Sequence, residues 1–285
     1  MKTGRIIIVA SEYVFGELAD AIKSFLESKN IKTKIINEES NDFGDINIVI
    51  KALRPYDIGK INIDFRKRLK RGKKKIVILY QPEELWNRRE KGHYDLSNGY
   101  DRVLELYYPN TQIKVGTKNV VYCPLGYSKS FETDLPKVEE DIDVLFYGAL
   151  TDRRKEMLNY IRSLGVCNVT ELNEVYGKKR DEYIMRSKII INIKAYDKWS
   201  YGPLHCLLAQ CKKKLVFSEK ADEGYGDFVP NVHFIEWTKD DIGDILGIWL
   251  SHEKLRNFFA KGIYNDIKAN VNFNDFLENG LKGII

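Results

Sequence analysis

The chain has 285 residues, of which 44% are apolar and 31% charged, the balance of a soluble globular protein with one large domain or two ordinary ones. No apolar run reaches the roughly 18 residues that span a bilayer. The opening stretch Met1-Lys2-Thr3-Gly4-Arg5-Ile6-Ile7-Ile8-Val9-Ala10 has too short an apolar core for a secretory leader, so a cytoplasmic location is expected. Residues 1–135 hold 24 Lys/Arg against 18 Asp/Glu, and residues 136–285 hold 22 against 23; the net charge of +5 therefore resides in the first half. Cys123, Cys167, Cys206 and Cys211 lack paired metal-type spacing and read as buried free thiols. His93, His205, His233 and His252 are too scattered for a metal cage, and neither a metal nor a bound cofactor is expected.

In chain order, Arg5 to Ala10 reads as a buried strand and Glu12 to Ser28 as a helix, with Leu18, Ala21, Ile22, Phe25 and Leu26 on one face and Asn30 closing it. Ile31 to Ile36, Ile46 to Ile50 and Ile76 to Tyr80 follow as strands, with a helix over Phe65 to Leu69. Asp95 to Tyr108 predicts a helix and a short edge element, and Val120 to Tyr127 a last strand ending in a turn. β-Branched runs buried on both faces and alternating with helices imply a parallel sheet. Eight of the ten residues from Arg66 to Lys75 are basic. They precede a strand, hence lie at the end of the sheet away from a ligand, and read better as a solvated helix C-terminus than as a nucleic-acid or membrane patch.

Residues 128–140 are polar and aperiodic and read as a linker between domains. Beyond it, strands are expected at Ile142 to Tyr147, Val166 to Thr170, Ile189 to Ile193, Leu215 to Phe217 and Val232 to Ile235. Helices are expected over Arg153 to Leu164, Lys179 to Met185, Leu204 to Cys211, Asp240 to Leu250 and His252 to Ile267. The plan is an α/β protein of two doubly wound, Rossmann-like parallel-sheet domains facing a cleft: residues 1–135, residues 136–267, and a final amphipathic stretch within 268–285 packing back on the first.

Two stretches carry the chemistry. The strand ending at Tyr147 runs into Gly148 and then Thr151-Asp152-Arg153-Arg154 at a helix start. Free N–H groups at a helix N-terminus and adjacent guanidinium groups both favour an anion there; the alternative is a solvated first turn, opposed by the helix dipole. After the strand ending at Tyr80 comes Gln81-Pro82-Glu83-Glu84-Leu85-Trp86, where an amide, two carboxylates and an indole can position a hydroxyl-bearing acceptor with one Glu as general base. Equally, Pro82 and the two glutamates can simply start a helix.

Taken together, the Pro-Leu-Gly-Tyr entry at 124–127, Tyr80-Gln81-Pro82-Glu83-Glu84-Leu85, Tyr147-Gly148 with Arg153-Arg154, Ser187-Lys188-Ile189-Ile190-Ile191-Asn192-Ile193 and Val216-Phe217-Ser218-Glu219 resemble GT-B glycosyltransferases, in particular the "glycosyltransferase group 1" proteins of bacteria and large viruses. The likeness runs over nearly the whole chain. It implies a UDP- or GDP-linked sugar donor, held as substrate by the second domain, and an acceptor held by the first. The donor residues it implies are Gly148, Arg153, Arg154, Lys188, Asn192, Tyr201, Gly202, His205, Ser218 and Glu219. On the acceptor side it implies Tyr80, Gln81, Glu84 and Trp86, with Glu83 as catalytic base and no metal. Relatives carry an acidic residue in the loop and helix near Tyr201 to Leu208, whereas here no Asp or Glu lies between Trp199 and Ser218; Asp197 or Glu219 would have to substitute. Expected partners are the nucleotide-sugar and a carbohydrate or other hydroxyl acceptor, a nucleic-acid base being a further option, with no membrane span. The contrary expectation is a catalytically silent nucleotide- or carbohydrate-binding protein of the same fold.

Overall fold

The computed structural model describes residues 2–9, 12–37, 39–50, 76–81, 100–111, 119–132, 134–136, 138–197, 201–222 and 224–285. Runs of Ile and Val build two separate sheets, each wholly parallel. The first contains β1 (Thr3–Ile8), β2 (Lys32–Asn37), β3 (Ile46–Ile50), β4 (Ile76–Gln81), β5 (Arg102–Glu105) and β6 (Val120–Tyr122) in the order β2-β1-β3-β4-β5-β6. Every residue of β3 is buried, as expected of a strand covered on both faces. Helix α1 (Glu12–Ser28) buries Phe15, Leu18, Ile22, Phe25 and Leu26, a single stripe at helical spacing. It ends where Asn30 takes a left-handed φ of 58°, a conformation that Asn adopts more readily than most residues. A single turn, α2 (Tyr108–Thr111), follows β5.

The second sheet contains β7 (Ile142–Tyr147), β8 (Val169–Leu172), β9 (Ser187–Asn192), β10 (Leu215–Glu219) and β11 (Ile235–Trp237) in the order β11-β10-β9-β7-β8. Its helices are α3 (Asp152–Ser163), α4 (Gly177–Arg186), α5 (Pro203–Gln210), α6 (Ile242–Ser251) and α7 (Glu253–Asn270). Both sheets share one plan, in which the second strand of the unit lies on one side of the first and the third on the other. The direction of winding reverses between β1 and β3 and again between β7 and β9, and such a reversal leaves a crevice at the C-terminal strand ends.

The compact units are residues 1–124 with 273–285, and residues 125–272. The polar stretch 128–140 thus belongs to the second unit, because it carries a 3₁₀ turn, Lys129–Phe131, whose Phe131 is fully buried. The last helix, α8 (Phe273–Leu281), buries Phe273, Leu277 and Leu281 in the first unit, where Arg102 Nη1 donates to the carbonyls of Gly280 (2.8 Å) and Lys282 (3.0 Å).

Some elements differ from the sequence-based expectation. β5 is an internal strand, not an edge, since β6 pairs with its outer side. β8 starts three residues later than expected, because Val166 is exposed. β11 begins only at Ile235; Asn231 has a left-handed φ of 60°, and the N–H of His233 returns to the carbonyl of Val229, so 231–234 is a turn. The predicted helix over Phe65 to Leu69, the basic run 66–75 and most of the predicted helix after Asp95 lie outside the described residues.

Candidate functional site

The C-terminal ends of β7, β9 and β10 meet at the winding reversal of the second sheet. β7 exits into Gly148 at a φ of +133°, a backbone conformation that side chains disfavour. Thr151 then caps α3: its Oγ1 accepts from the N–H of Arg154 (3.3 Å) and donates to the carbonyl of Ala195 (3.1 Å) just past β9. One side chain thus satisfies a helix terminus and spans the crevice.

The two arginines have different environments. Arg153 is fully engaged: Nε donates to Asp197 (3.0 Å), and Nη1 donates to the Lys194 carbonyl (2.9 Å) and to Glu219 Oε2 (2.9 Å). Nη2 donates to Glu219 Oε1. Glu219, almost buried at the end of β10, also accepts from the N–H of Lys194 (2.9 Å). This fork geometry ties α3, the loop after β9 and the end of β10 together, and it holds the Arg153 guanidinium pKa above its ordinary value. Lys194 is fixed in turn by Asp222 at 2.7 Å. Arg154 instead lies along the crevice floor, its guanidinium 5.4 Å from the Phe146 ring centre, with Nε on the Ile193 carbonyl (2.9 Å) and Nη1 on that of Ala149 (2.9 Å).

His205 sits in the first turn of α5, whose N-cap is Gly202 and which starts with Pro203, a residue whose missing N–H costs nothing there. The Tyr147 hydroxyl donates to the His205 carbonyl (2.5 Å). A Cβ placed on Gly148 would lie 3.2 Å from His205 Nε2 and 3.7 Å from Arg154 Nη1. Gly148, Arg154 and His205 therefore line one spot. Burial first, then the charges of Arg154 and Arg180, push the His205 pKa down to about 3, so the imidazole is neutral at physiological pH. Beside them the Asn192 amide donates to Ser218 Oγ (2.9 Å), and a Cβ at Gly202 would lie 3.9 Å from Asn192 Oδ1.

Of the residues singled out in the sequence, Gly148, Arg153, Arg154, Asn192, Gly202, His205, Ser218 and Glu219 come together at this end, Ser218 fully buried beneath it. Lys188 does not. As the second residue of a parallel strand it lies at the opposite end, bonded to Asp143 at 2.6 Å. Tyr201 is also elsewhere: it is buried in an aromatic cluster, stacked on Phe234 at 4.6 Å and close to Phe228 and Tyr225. In the first unit Tyr80 is wholly buried, donating to the Cys123 carbonyl (3.1 Å) with its ring edge-on to Phe273, and so faces the core rather than an acceptor. Gln81 ends β4; Glu83, Glu84 and Trp86 lie outside the described residues. Thr151 and Lys194 were not anticipated. Thr151 had a readable signal, a hydroxyl residue at a helix start, but Lys194 acts through its backbone.

Among the described residues no three His, Cys, Asp or Glu side chains are grouped to hold a metal, and no helix is long and apolar enough to cross a membrane.

No protein-family model and no curated protein sequence matches the chain. Solved structures do. An α-glucosyltransferase in complex with UDP and a 13-mer DNA superposes with a TM-score of 0.67 at 10% identity, over 99% of this chain and 100% of that one. HepE of Anabaena, in complex with UDP and glucose, gives a TM-score of 0.64 at 8% identity over 96% and 97%. TarM gives 0.57 at 14% identity over 90% of this chain, which spans 56% of the TarM chain. These likenesses establish the fold: two parallel-sheet α/β units arranged in sequence as in GT-B glycosyltransferases.

Proposed function

We propose that the protein is a glycosyltransferase that moves a sugar from a nucleotide-sugar donor to a hydroxyl acceptor. The observation that carries this reading is the convergence of Gly148, Arg154 and neutral His205 on the winding reversal of the second sheet, in a fold shared with structures holding UDP. Gly148 leaves room for a diphosphate against the backbone. Arg154 and the N-terminus of α3 supply positive potential where the leaving nucleoside diphosphate gains charge, and stabilising that charge lowers the barrier to glycosyl transfer. The neutral imidazole adds a hydrogen bond and no charge. Arg153, neutralised by Glu219, holds the loop after β9 in place and leaves the diphosphate to Arg154. Residues 136–267 then form the donor side and residues 1–135 the acceptor side, with Glu83 as base and Gln81, Glu84 and Trp86 near the acceptor. A UDP- or GDP-linked sugar is the substrate, and no further cofactor is required.

The test is thermal stability against a panel of nucleoside diphosphates and nucleotide-sugars, with wild type and Arg154→Ala. A matched donor at a hundred times its dissociation constant stabilises the fold by about 2.7 kcal/mol, and the variant loses that shift. No shift with any nucleotide sinks the proposal. A shift without nucleoside diphosphate release in any acceptor screen supports the silent binding protein, which the lack of an acidic residue between Trp199 and Ser218 favours. A second reading, with a nucleic-acid base as acceptor, is favoured by the basic first half and by the likeness to the DNA-bound α-glucosyltransferase. It requires DNA binding that weakens steeply with salt.

A further inference from the structure

A cavity of about 830 Å³ opens within the second unit at the N-terminal ends of β9 and β10, between Glu132, Leu135 and residues 138–140, the turn 211–214 and α7. It lies at the far end of the sheet from Gly148 and has the size of a small-molecule site. Its buried wall carries Lys212, Lys214 and Arg256, whose side chains are 1%, 9% and 4% exposed; Lys212 is neutralised by Asp181 at 3.2 Å and donates to the carbonyls of Phe131 and Leu208.

Arg256 is under-compensated. Its Nη1 donates to the carbonyls of Trp249 (2.9 Å) and Leu250 (2.8 Å), satisfying the end of α6. The carboxylate beside it, Glu140, is 3.4 Å from Nη2 but is already bonded to Lys214 Nζ at 2.6 Å. Arg256 Nε is buried with no partner among the described residues. A buried guanidinium whose carboxylate stands at 3.4 Å and whose Nε is unpartnered carries an electrostatic cost that a further anion relieves. Near the mouth, Lys213 and Lys261 are exposed, and neither forms an ion pair with a described residue; Lys213 Nζ stands 4.9 Å from the Tyr264 ring centre. Glu132 is occupied by the hydroxyls of Tyr127 (2.6 Å) and Tyr264 (2.5 Å), while Glu139 and Glu253 are exposed at the mouth. Leu135 and Val138 supply an apolar flank.

We propose that this cavity binds a small phosphate-bearing anion, with the phosphoryl group toward Arg256, Lys214 and Lys213 and the carbon portion against Leu135 and Val138. The two exposed acids set an upper limit on size and charge, because a large polyanion would meet them. The site is separate from the donor end and does not depend on the proposed activity.

The test uses inorganic pyrophosphate as probe at constant ionic strength, reading the melting temperature of the full chain. Because pyrophosphate also resembles a donor diphosphate, three proteins are compared: wild type, Arg154→Ala and Lys213→Glu/Lys261→Glu. The expected result is a saturable rise that persists in Arg154→Ala and is at least tenfold weaker in the charge-reversed variant. Both lysines are exposed, so the fold should survive; Lys213→Gln/Lys261→Gln, with an expected intermediate loss, keeps the test sound if it does not. No saturable rise, a rise abolished by Arg154→Ala, or one unchanged when both lysines are altered overturns the proposal.

Discussion

At the residue scale, Gly148 combines a backbone conformation that side chains disfavour with a close neighbour. A side chain there is strained by the φ of +133° and would crowd His205 Nε2 at 3.2 Å. Gly148→Ala is therefore expected to destabilise the protein by about 1–3 kcal/mol and to weaken nucleotide binding at least tenfold. The control is Gly247→Ala, in an exposed part of α6 with nothing within 4 Å of the added Cβ; there alanine is neutral or stabilising by up to about 1 kcal/mol. Urea denaturation of both variants decides, and equal effects would refute the strain argument. His205 gives a pH signature. Its folded pKa of about 3 lies below the ordinary histidine value of 6.5, so between those values the unfolded chain binds the extra proton. Its contribution is complete above pH 6.5 and is lost as pH falls toward 3, with a slope of at most about 1.4 kcal/mol per pH unit. His205→Gln should lose less stability than wild type between pH 6.5 and 4; parallel curves for the two proteins would place the imidazole in water.

At the element scale, the contact that joins α3 to two strands is Arg153 with Glu219. Removing the arginine leaves Glu219, with a side chain 8% exposed, without its counter-charge, a loss expected to exceed about 2 kcal/mol because Arg153 itself is only 22% exposed. Arg153→Ala and Glu219→Ala together should cost less than the sum of the singles, by a coupling of about 1–3 kcal/mol. Additive effects would mean that the pair holds nothing. This scale also shows what was legible in advance. Ile6 to Ile8, Ile46 to Ile50 and Ile189 to Ile191 announced buried parallel strands, since β-branched runs admit few other structures, and the glycine after the strand with a helix start behind it announced the turn at the C-terminal end of β7 where the candidate site is placed. Side-chain direction was not legible. Tyr80 and Tyr201 stand beside polar or glycine residues suited to a cleft, yet both turn into aromatic packing set by Phe273 and Phe234, residues distant in sequence. Lys188 belongs to the right strand but to its wrong end, a matter of strand polarity that a motif match ignores. The division of labour between Arg153 and Arg154 depends on Asp197 and Glu219 folding back to one of them.

At the scale of the whole molecule, the chain leaves its first unit at Pro124 and re-enters it at Phe273, so the second unit is inserted into the first. Its ends are adjacent: the N–H of Tyr127 donates to the carbonyl of Val271 (2.6 Å), and Tyr127 bridges with Asn272. An inserted unit with joined ends and its own sheet carries the whole of its core within residues 125–272, including Phe146, Phe217, Phe234 and Trp237, all at most 1% exposed. The fragment 125–272 should therefore unfold cooperatively in urea and, because Gly148, Arg154 and His205 all lie within it, keep the nucleotide binding proposed for the full chain. Fragment 1–124 should not fold, for it lacks α8. Gly280 there packs so close that a Cβ would lie 3.0 Å from Leu104 and 3.3 Å from Cys123 Sγ, and loss of Phe273, Leu277 and Leu281 exposes that surface to water at a cost of about 1.5–3 kcal/mol for each buried apolar side chain. Joining residues 273–285 to Pro124 through a flexible linker should restore a cooperative transition. A fragment 1–124 that folds unaided would show that α8 is an addition to the first unit; a fragment 125–272 that binds dyes for exposed apolar surface would show that the inserted unit takes part of its stability from the first.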